Sequence, residues 1–311
     1  MAATPVRQLL VATISATFLL LAAPERGACQ EPPGKEVFRA TAEVSAILVP
    51  VTVKDKRGRL VPTLERGRFH LLVDDIEFPI KSFWREGGLP ISYAFIVDVS
   101  GSMNGRRLAR TRDAIMEFVR QLRADDEVCL ITFGAGEVKR RLSFGTDSGL
   151  MQRVLESLRG YGTTALYDML TATPQAMEGT KNVRRVVLLF TDGVDTASEM
   201  TPSDAVKILE GLEDPLYVMG IEPPPAEEGP PDSYEDLLAR FAAASGGRYL
   251  RVDTAAKLPE FARALRQELT MRYIITIEPS GLGTVRWRKL EVRVDGAYAV
   301  LARQGYRGTL P

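Results

Sequence analysis

From Ile91 to Val97 the chain is apolar almost without interruption, and the run ends abruptly in Asp98-Val99-Ser100-Gly101-Ser102. A strand with no polar-apolar alternation hides both faces, so it needs a layer of helices on each side. The following sequence supplies them. Leu108, Ile115, Val119 and Leu122 form one apolar stripe with arginines opposite, and further strand-like runs follow at Glu127–Phe133, Val186–Phe190, Leu216–Ile221 and Arg248–Val252. Between them, Met151–Leu158, Ala165–Met177 (disturbed at Pro174), the stretch after Thr201-Pro202-Ser203-Asp204, Tyr234–Ala244 and Leu258–Leu269 read as helices. Val138–Ser143 is charged enough to be an edge strand. Strands alternating with helices predict an α/β fold with a doubly wound, mostly parallel sheet over residues 90–270.

The flanks read differently. Ile47, Val49, Val51 and Val53 alternate toward a turn at Arg57-Gly58, and Phe69–Val73 and Ile80–Trp84 continue the β pattern. Leu290, Val292 and Val294 alternate before Asp295-Gly296, a hairpin signal, with Tyr298 and Val300 on the expected return strand. Neither flank has enough strands to close a core alone. Residues 40–89 and 271–309 are therefore expected to form one smaller, discontinuous β-sandwich into which the α/β domain is inserted. Two independent small sheets packed on the large domain are the alternative.

Balance and composition narrow the function. Lys plus Arg equals Asp plus Glu at 40 each, and no block of one sign marks a nucleic-acid footprint. Arg7 precedes an uncharged run from Leu9 to Ala23, too short for a bilayer span, so residues 1–29 are read as a secretory signal peptide. No later run is long or uniform enough to cross a membrane. Cys29 near the expected cleavage region raises lipoprotein anchoring, but Arg26 stands where an aliphatic residue is preferred, which favours a secreted or periplasmic protein. Cys129 reads as a buried strand residue behaving as a small hydrophobe.

Three segments carry chemistry. Asp98-Val99-Ser100-Gly101-Ser102 follows one strand, Phe190-Thr191-Asp192-Gly193 ends another, and Gly162-Thr163-Thr164-Ala165-Leu166-Tyr167-Asp168 opens a helix. One carboxylate and two hydroxyls on a loop between strand and helix suit a hard cation. Together the three segments resemble the metal-ion-dependent adhesion site of von Willebrand factor type A domains. That resemblance implies Asp98, Ser100, Ser102, Thr164 and Asp192 as ligands of Mg²⁺, with Mn²⁺ or Ca²⁺ as substitutes. Two carboxylates bring only about −2 of charge to a +2 ion, so the ion would still attract an Asp or Glu of a protein partner. Asp98 is expected in an exposed loop. The family's second glycine before the metal threonine is replaced by Thr163.

The resemblance extends to residues 44–309. The order of the Asp98 loop, the Thr164 and Asp192 segments, Ala244-Ser245-Gly246-Gly247-Arg248-Tyr249, Gln267–Tyr273 and Gln304–Gly308 is similar to the VWFA-related Acidobacterial domain family. Arg68 and Asp74-Asp75 depart from that pattern and leave the first hairpin's turn type open.

Rival chemistries find less support. The single histidine, His70, lies between Phe69 and Leu71 on the opposite strand face and reads as an ordinary strand residue. No Ser–His–Asp set, Walker loop or zinc-spaced Cys/His group is present. The sequence thus reads as a non-enzymatic, metal-dependent adhesion module. The alternatives are a scaffold that binds partners through the β-sandwich, or a metal-assisted hydrolase using Asp168 or Asp195 as base. If the leader is removed as read, the native protein starts near residue 30, and the intact mass of protein purified from its own host checks this; a mass retaining Met1 would contradict it.

Overall fold

The computed structural model describes residues 46–85, 87–145, 147–224, 233–253, 258–278 and 287–307. The leader, Cys29 and residues 225–231 of the proline-rich stretch lie outside them. The centre of the fold is a six-stranded sheet of β5 (Ile91–Asp98), β6 (Glu127–Gly134), β7 (Glu137–Leu142), β8 (Arg184–Thr191), β9 (Leu216–Ile221) and β10 (Tyr249–Val252). Its order is β10-β9-β8-β5-β6-β7, parallel throughout except for the antiparallel edge β7. Every residue of β5 is buried. Tyr93, Phe95 and Val97 enter one helical layer with Leu108, Ile115 and Phe118 of α1 (Arg106–Val119), while Ala94 and Ile96 enter the other with Leu166 and Phe241. Two buried faces explain the uniform apolar run.

The helices follow the sequence reading with one change. The span read as one disturbed helix is two short ones, α3 (Leu166–Leu170) and α4 (Thr173–Ala176), after α2 (Ser148–Ser157). Pro174 sits in the first turn of α4, where its missing N–H costs nothing. The remaining helices are α5 (Pro202–Leu209), α6 (Tyr234–Ala244) and α7 (Leu258–Thr270), and Thr201 and Ser233 cap the first two through Asp204 N and Asp236 N.

The flanks interleave. β1 (Ile47–Lys54) lies between β11 (Tyr273–Ile277) and β13 (Ala299–Ala302), and β4 (Ser82–Arg85) pairs with β11. In the facing sheet, β12 (Trp287–Val294) lies between β2 (Phe69–Val73) and β14 (Gly305–Arg307), with β3 (Ile76–Phe78) outside β2. Both sheets therefore mix strands from before and after the α/β segment. Their inner faces share one core that includes Val49, Val51, Leu71, Val73, Ile275 and Leu290. Phe69, Phe83 and Tyr273 cluster within it, with ring centroids 4.8 to 5.4 Å apart.

Two local readings change. Asp295-Gly296 does not close a β12–β13 hairpin: β12 is already paired on both edges, and β13 crosses to the other sheet to pair with β1, placing Val300 opposite Val53. The open turn is the earlier one. Asp74 (φ 48) and Asp75 (φ 67) both adopt positive φ between β2 and β3, the signature of a two-residue type I′ hairpin. Arg288 Nη1 donates to Asp74 Oδ2 at 2.6 Å, and Lys289 Nζ pairs with Asp75 Oδ1 at 2.8 Å, so the strand beside the turn offsets its unfavourable backbone.

A polar junction joins the layers. Glu268 on α7, only 2% exposed, accepts from Lys54 Nζ of β1 at 2.7 Å and from the Tyr217 hydroxyl at 3.0 Å, with Arg248 Nη2 at 3.1 Å. Within the sandwich the Tyr273 hydroxyl donates to Val61 O at 2.6 Å and accepts from Leu64 N at 2.8 Å, tying the C-terminal flank to the N-terminal one. Tyr273→Phe should leave both main-chain groups without that partner and lower the unfolding free energy by about 1–3 kcal/mol in urea titrations.

Candidate metal centre

An open α/β sheet binds ligands where strand order reverses, outside the carboxyl ends of its strands. Here the reversal is at β5, with β6 on one side and β8 on the other. Register places Val97 beside Phe190, so Asp98 and Thr191 end neighbouring strands and Asp192 follows at once. The site thus takes one carboxylate from each of two adjacent strand ends.

Asp98 is not in an exposed loop. It is 0% exposed, because β5 is the central strand and the loops after β6 and β8 close over its end. Its Oδ1 accepts from Ser100 N at 2.9 Å and its Oδ2 from Thr191 Oγ1 at 2.7 Å. Thr191 Oγ1 in turn accepts from Gly193 N at 3.1 Å, which fixes the turn carrying Asp192. Ser100 is buried and Ser102 exposed, with their hydroxyl oxygens 3.2 Å apart. Burial pushes the Asp98 carboxyl up from 3.8 to about 6, with the Asp192 charge a smaller contribution in the same direction; hydrogen bonds from Ser100 and Thr191 oppose both.

Thr164 arrives on a third loop and is 2% exposed. That loop is stitched to the Asp98 loop by Tyr161 N to Val99 O at 2.9 Å and Gly101 N to Gly162 O at 3.0 Å. Contact this close needs glycine. A Cβ on Gly160 would lie 2.6 Å from Ser100 O, and Gly162 combines φ +71° with a Cβ position 2.6 Å from Ala135 Cβ. Thr163, which replaces the family's second glycine, accepts from Ala135 N through its main-chain oxygen at 2.8 Å, a bond any residue can make, so the substitution is accommodated. Thr164 O accepts from Thr196 N and Ala197 N, and Thr196 Oγ1 accepts from Thr164 N at 2.9 Å, which ties the third loop to the segment after Asp192.

The donor set fits a hard cation. Asp192 is 0% exposed, its Oδ1 accepts from Val194 N at 3.1 Å, and its buried Oδ2 accepts no hydrogen bond from any described residue. A buried carboxylate oxygen without a hydrogen bond costs free energy unless a cation faces it, and among the described residues the Arg107 guanidinium does so, with Nη1 at 3.2 Å. Asp98, Ser100, Ser102, Thr164 and Asp192 offer oxygen alone, which suits Mg²⁺.

Asp168 and Asp195 have other duties. Asp168 accepts from Glu199 N and Met200 N, and Asp195 from Leu166 N and the Ser198 hydroxyl. Both staple the loop after Asp192 to α3. Sequence reasoning missed Thr191, Thr196 and Arg107. Arg107 Nη1 lies 3.2 Å from Asp192 Oδ2. The threonines adjoin named segments, but nothing local marks Arg107 among the arginines of α1. His70 lies between Glu77, at 2.8 Å, and Asp295, at 3.3 Å, far in the fold from these loops on β2.

Comparison with known proteins identifies the domain that carries these loops. Residues 93–194 match the family model described as the von Willebrand factor type A domain. The chain thus contains a von Willebrand factor type A domain over these residues. It is 28% identical over 156 residues to inter-alpha-trypsin inhibitor heavy chain H3 of Pongo abelii, covering 44% of this chain and 18% of that protein. It is 25% identical over 200 residues to heavy chain H4 of Sus scrofa, covering 58% and 20%. The chain therefore spans about a fifth of the length of these relatives. Among solved structures, a von Willebrand factor type A protein from Catenulispora acidiphila is similar at a TM-score of 0.47 and 14% identity, covering 88% of this chain and 75% of that one.

The raised Asp98 carboxyl has a measurable consequence without metal. The folded state holds the proton more tightly than the unfolded chain, so stability falls as pH rises from 3.8 through about 6. Asp98→Asn removes that charge. In EDTA, urea titrations should show its stability relative to wild type improving between pH 4.5 and 7 by up to about 3 kcal/mol, then levelling. A flat difference would contradict the burial argument.

Proposed function

We propose that this protein is a non-enzymatic, metal-dependent protein-binding module, exported from the cytoplasm, whose type A domain uses Mg²⁺ to engage an Asp or Glu of a protein partner. The observation that supports this best is the pair of fully buried carboxylates, Asp98 and Asp192, at adjacent strand ends beside the loops that carry Ser100, Ser102 and Thr164. Asp98 and Asp192 would supply the charge, and Ser100, Ser102 and Thr164 the neutral oxygens. When bound, the ion supplies an electrophilic centre with open coordination positions, to which a carboxylate can add. Exposed Ser102 at the mouth keeps that side of the site accessible.

The hydrolase reading has less support, because Asp168 and Asp195 accept from main-chain and Ser198 donors that staple the loop after Asp192 to α3. Among the described residues no helix is long and apolar enough to cross a membrane.

Calorimetry and thermal melts test the metal. At roughly 100 times its dissociation constant, Mg²⁺ should stabilise the wild type by about 2.7 kcal/mol over EDTA. Asp98→Ala, which removes one of two carboxylates, should lose most of that shift, and Ser102→Ala less. A wild type with neither heat of binding nor a melting shift overturns the metal reading. Partner capture that survives both EDTA and Asp98→Ala would move the binding surface to the β-sandwich.

A further inference from the structure

The Arg107 side chain makes the site more than five ligands. It rises from the first turn of α1 with its guanidinium held by two main-chain oxygens. Nη1 donates to Ser102 O at 2.8 Å, while Nε and Nη2 donate to Glu222 O at 3.2 and 3.0 Å. That grip aims Nη1 at Asp192 Oδ2, the buried oxygen that accepts no hydrogen bond among the described residues, from 3.2 Å.

The grip is itself built. Glu222 follows β9 with φ 43, a left-handed conformation that a residue other than glycine seldom adopts. Its carboxylate is held by Arg106, with Nη2 at 3.0 Å, and by Arg110 one turn further along α1. Three arginines of one helix therefore fix a single glutamate, two through its carboxylate and Arg107 through its carbonyl. Arg107 is 26% exposed, so its guanidinium bridges solvent and a carboxylate that is 0% exposed.

We propose that Arg107 is a built-in counter-cation that competes with a divalent ion for Asp192, and so sets how tightly the site binds metal. The inference rests on the metal reading given under Proposed function. A guanidinium stays charged at any pH a folded protein tolerates, so the competition is constant rather than a proton switch. Without metal it neutralises a buried carboxylate that would otherwise be costly. A +2 ion using Asp192 Oδ2 meets a +1 charge already beside that oxygen, and the two repel in a partly buried setting where screening is weak. Arg107 must move away or be borne at a loss of affinity. Arg107 is a positioning and tuning residue, not a metal ligand.

Titration of wild type, Arg107→Gln and Arg107→Lys with Mg²⁺ alone, with melts of each in EDTA, decides it. Arg107→Gln should bind Mg²⁺ about tenfold or more tightly than wild type, because the repelling charge is gone. It should also melt lower in EDTA and show a larger metal-induced shift. Arg107→Lys keeps the charge and should stay nearer wild type. A purely structural role for Arg107 would weaken binding or leave it unchanged. In ¹⁵N-labelled wild type, the Arg107 Nε–H resonance should move on saturation with Mg²⁺. Equal or weaker affinity in Arg107→Gln, with wild type still binding, overturns this inference and leaves the metal site standing; an unmoved Arg107 resonance at saturation does the same. Absence of Mg²⁺ binding in both wild type and Arg107→Gln overturns the metal reading and this inference with it.

Discussion

Asp98 is a carboxylate without solvent exposure at the end of the central strand, and the loops at the top of the sheet are arranged around what that burial demands. Its oxygens are satisfied by Ser100 N and by Thr191 Oγ1, and Thr191 relays to Gly193 N. One buried charge thus orients its own loop and the turn that carries Asp192. The third loop joins through main-chain bonds at Val99 and Gly101, possible because Gly160 and Gly162 leave room where a Cβ would collide with backbone or Ala135. Burial gives the Asp98 carboxylate a fixed geometry, because its partner Thr191 also holds the turn that carries Asp192.

The same demand explains the surrounding electrostatics. A carboxylate taken out of water must find a positive partner or rise in pKa. Asp98 rises, and Asp192 finds Arg107. At the far side of the domain Glu268 meets the demand differently, with Lys54, Arg248 and Tyr217 around one carboxylate. There the charge joins α7 to β1 of the sandwich. Buried acids therefore serve both ends, Asp98 and Asp192 ordering a loop cluster and Glu268 locking two layers together.

Much of this was legible in the chain. Buried strands announce themselves by apolar runs without alternation, and the order of strands and helices implied the parallel sheet and its carboxyl-end site. Asp98, Ser100, Ser102, Thr164 and Asp192 were offered as ligands by the resemblance of three short segments, and the fold brings those segments onto neighbouring loops. The failures were non-local. Asp295-Gly296 has every local mark of a hairpin, yet β12 and β13 belong to different sheets, because β2 and β14 occupy both edges of β12. The real hairpin uses Asp74-Asp75, a pair made tolerable by Arg288 and Lys289 more than 200 residues away.

By itself the sequence determined the periodicities, and with them the two fold classes, the inserted order and the residue types offered to a cation. Those follow from backbone geometry and local side-chain chemistry, which act over a few residues. Tertiary structure alone decided which strands pair, that Asp98 is sealed from water rather than exposed, and that one arginine among many in α1 reaches Asp192. These depend on charges and edges brought together across the chain, where burial multiplies a contact's worth and no short-range pattern records it.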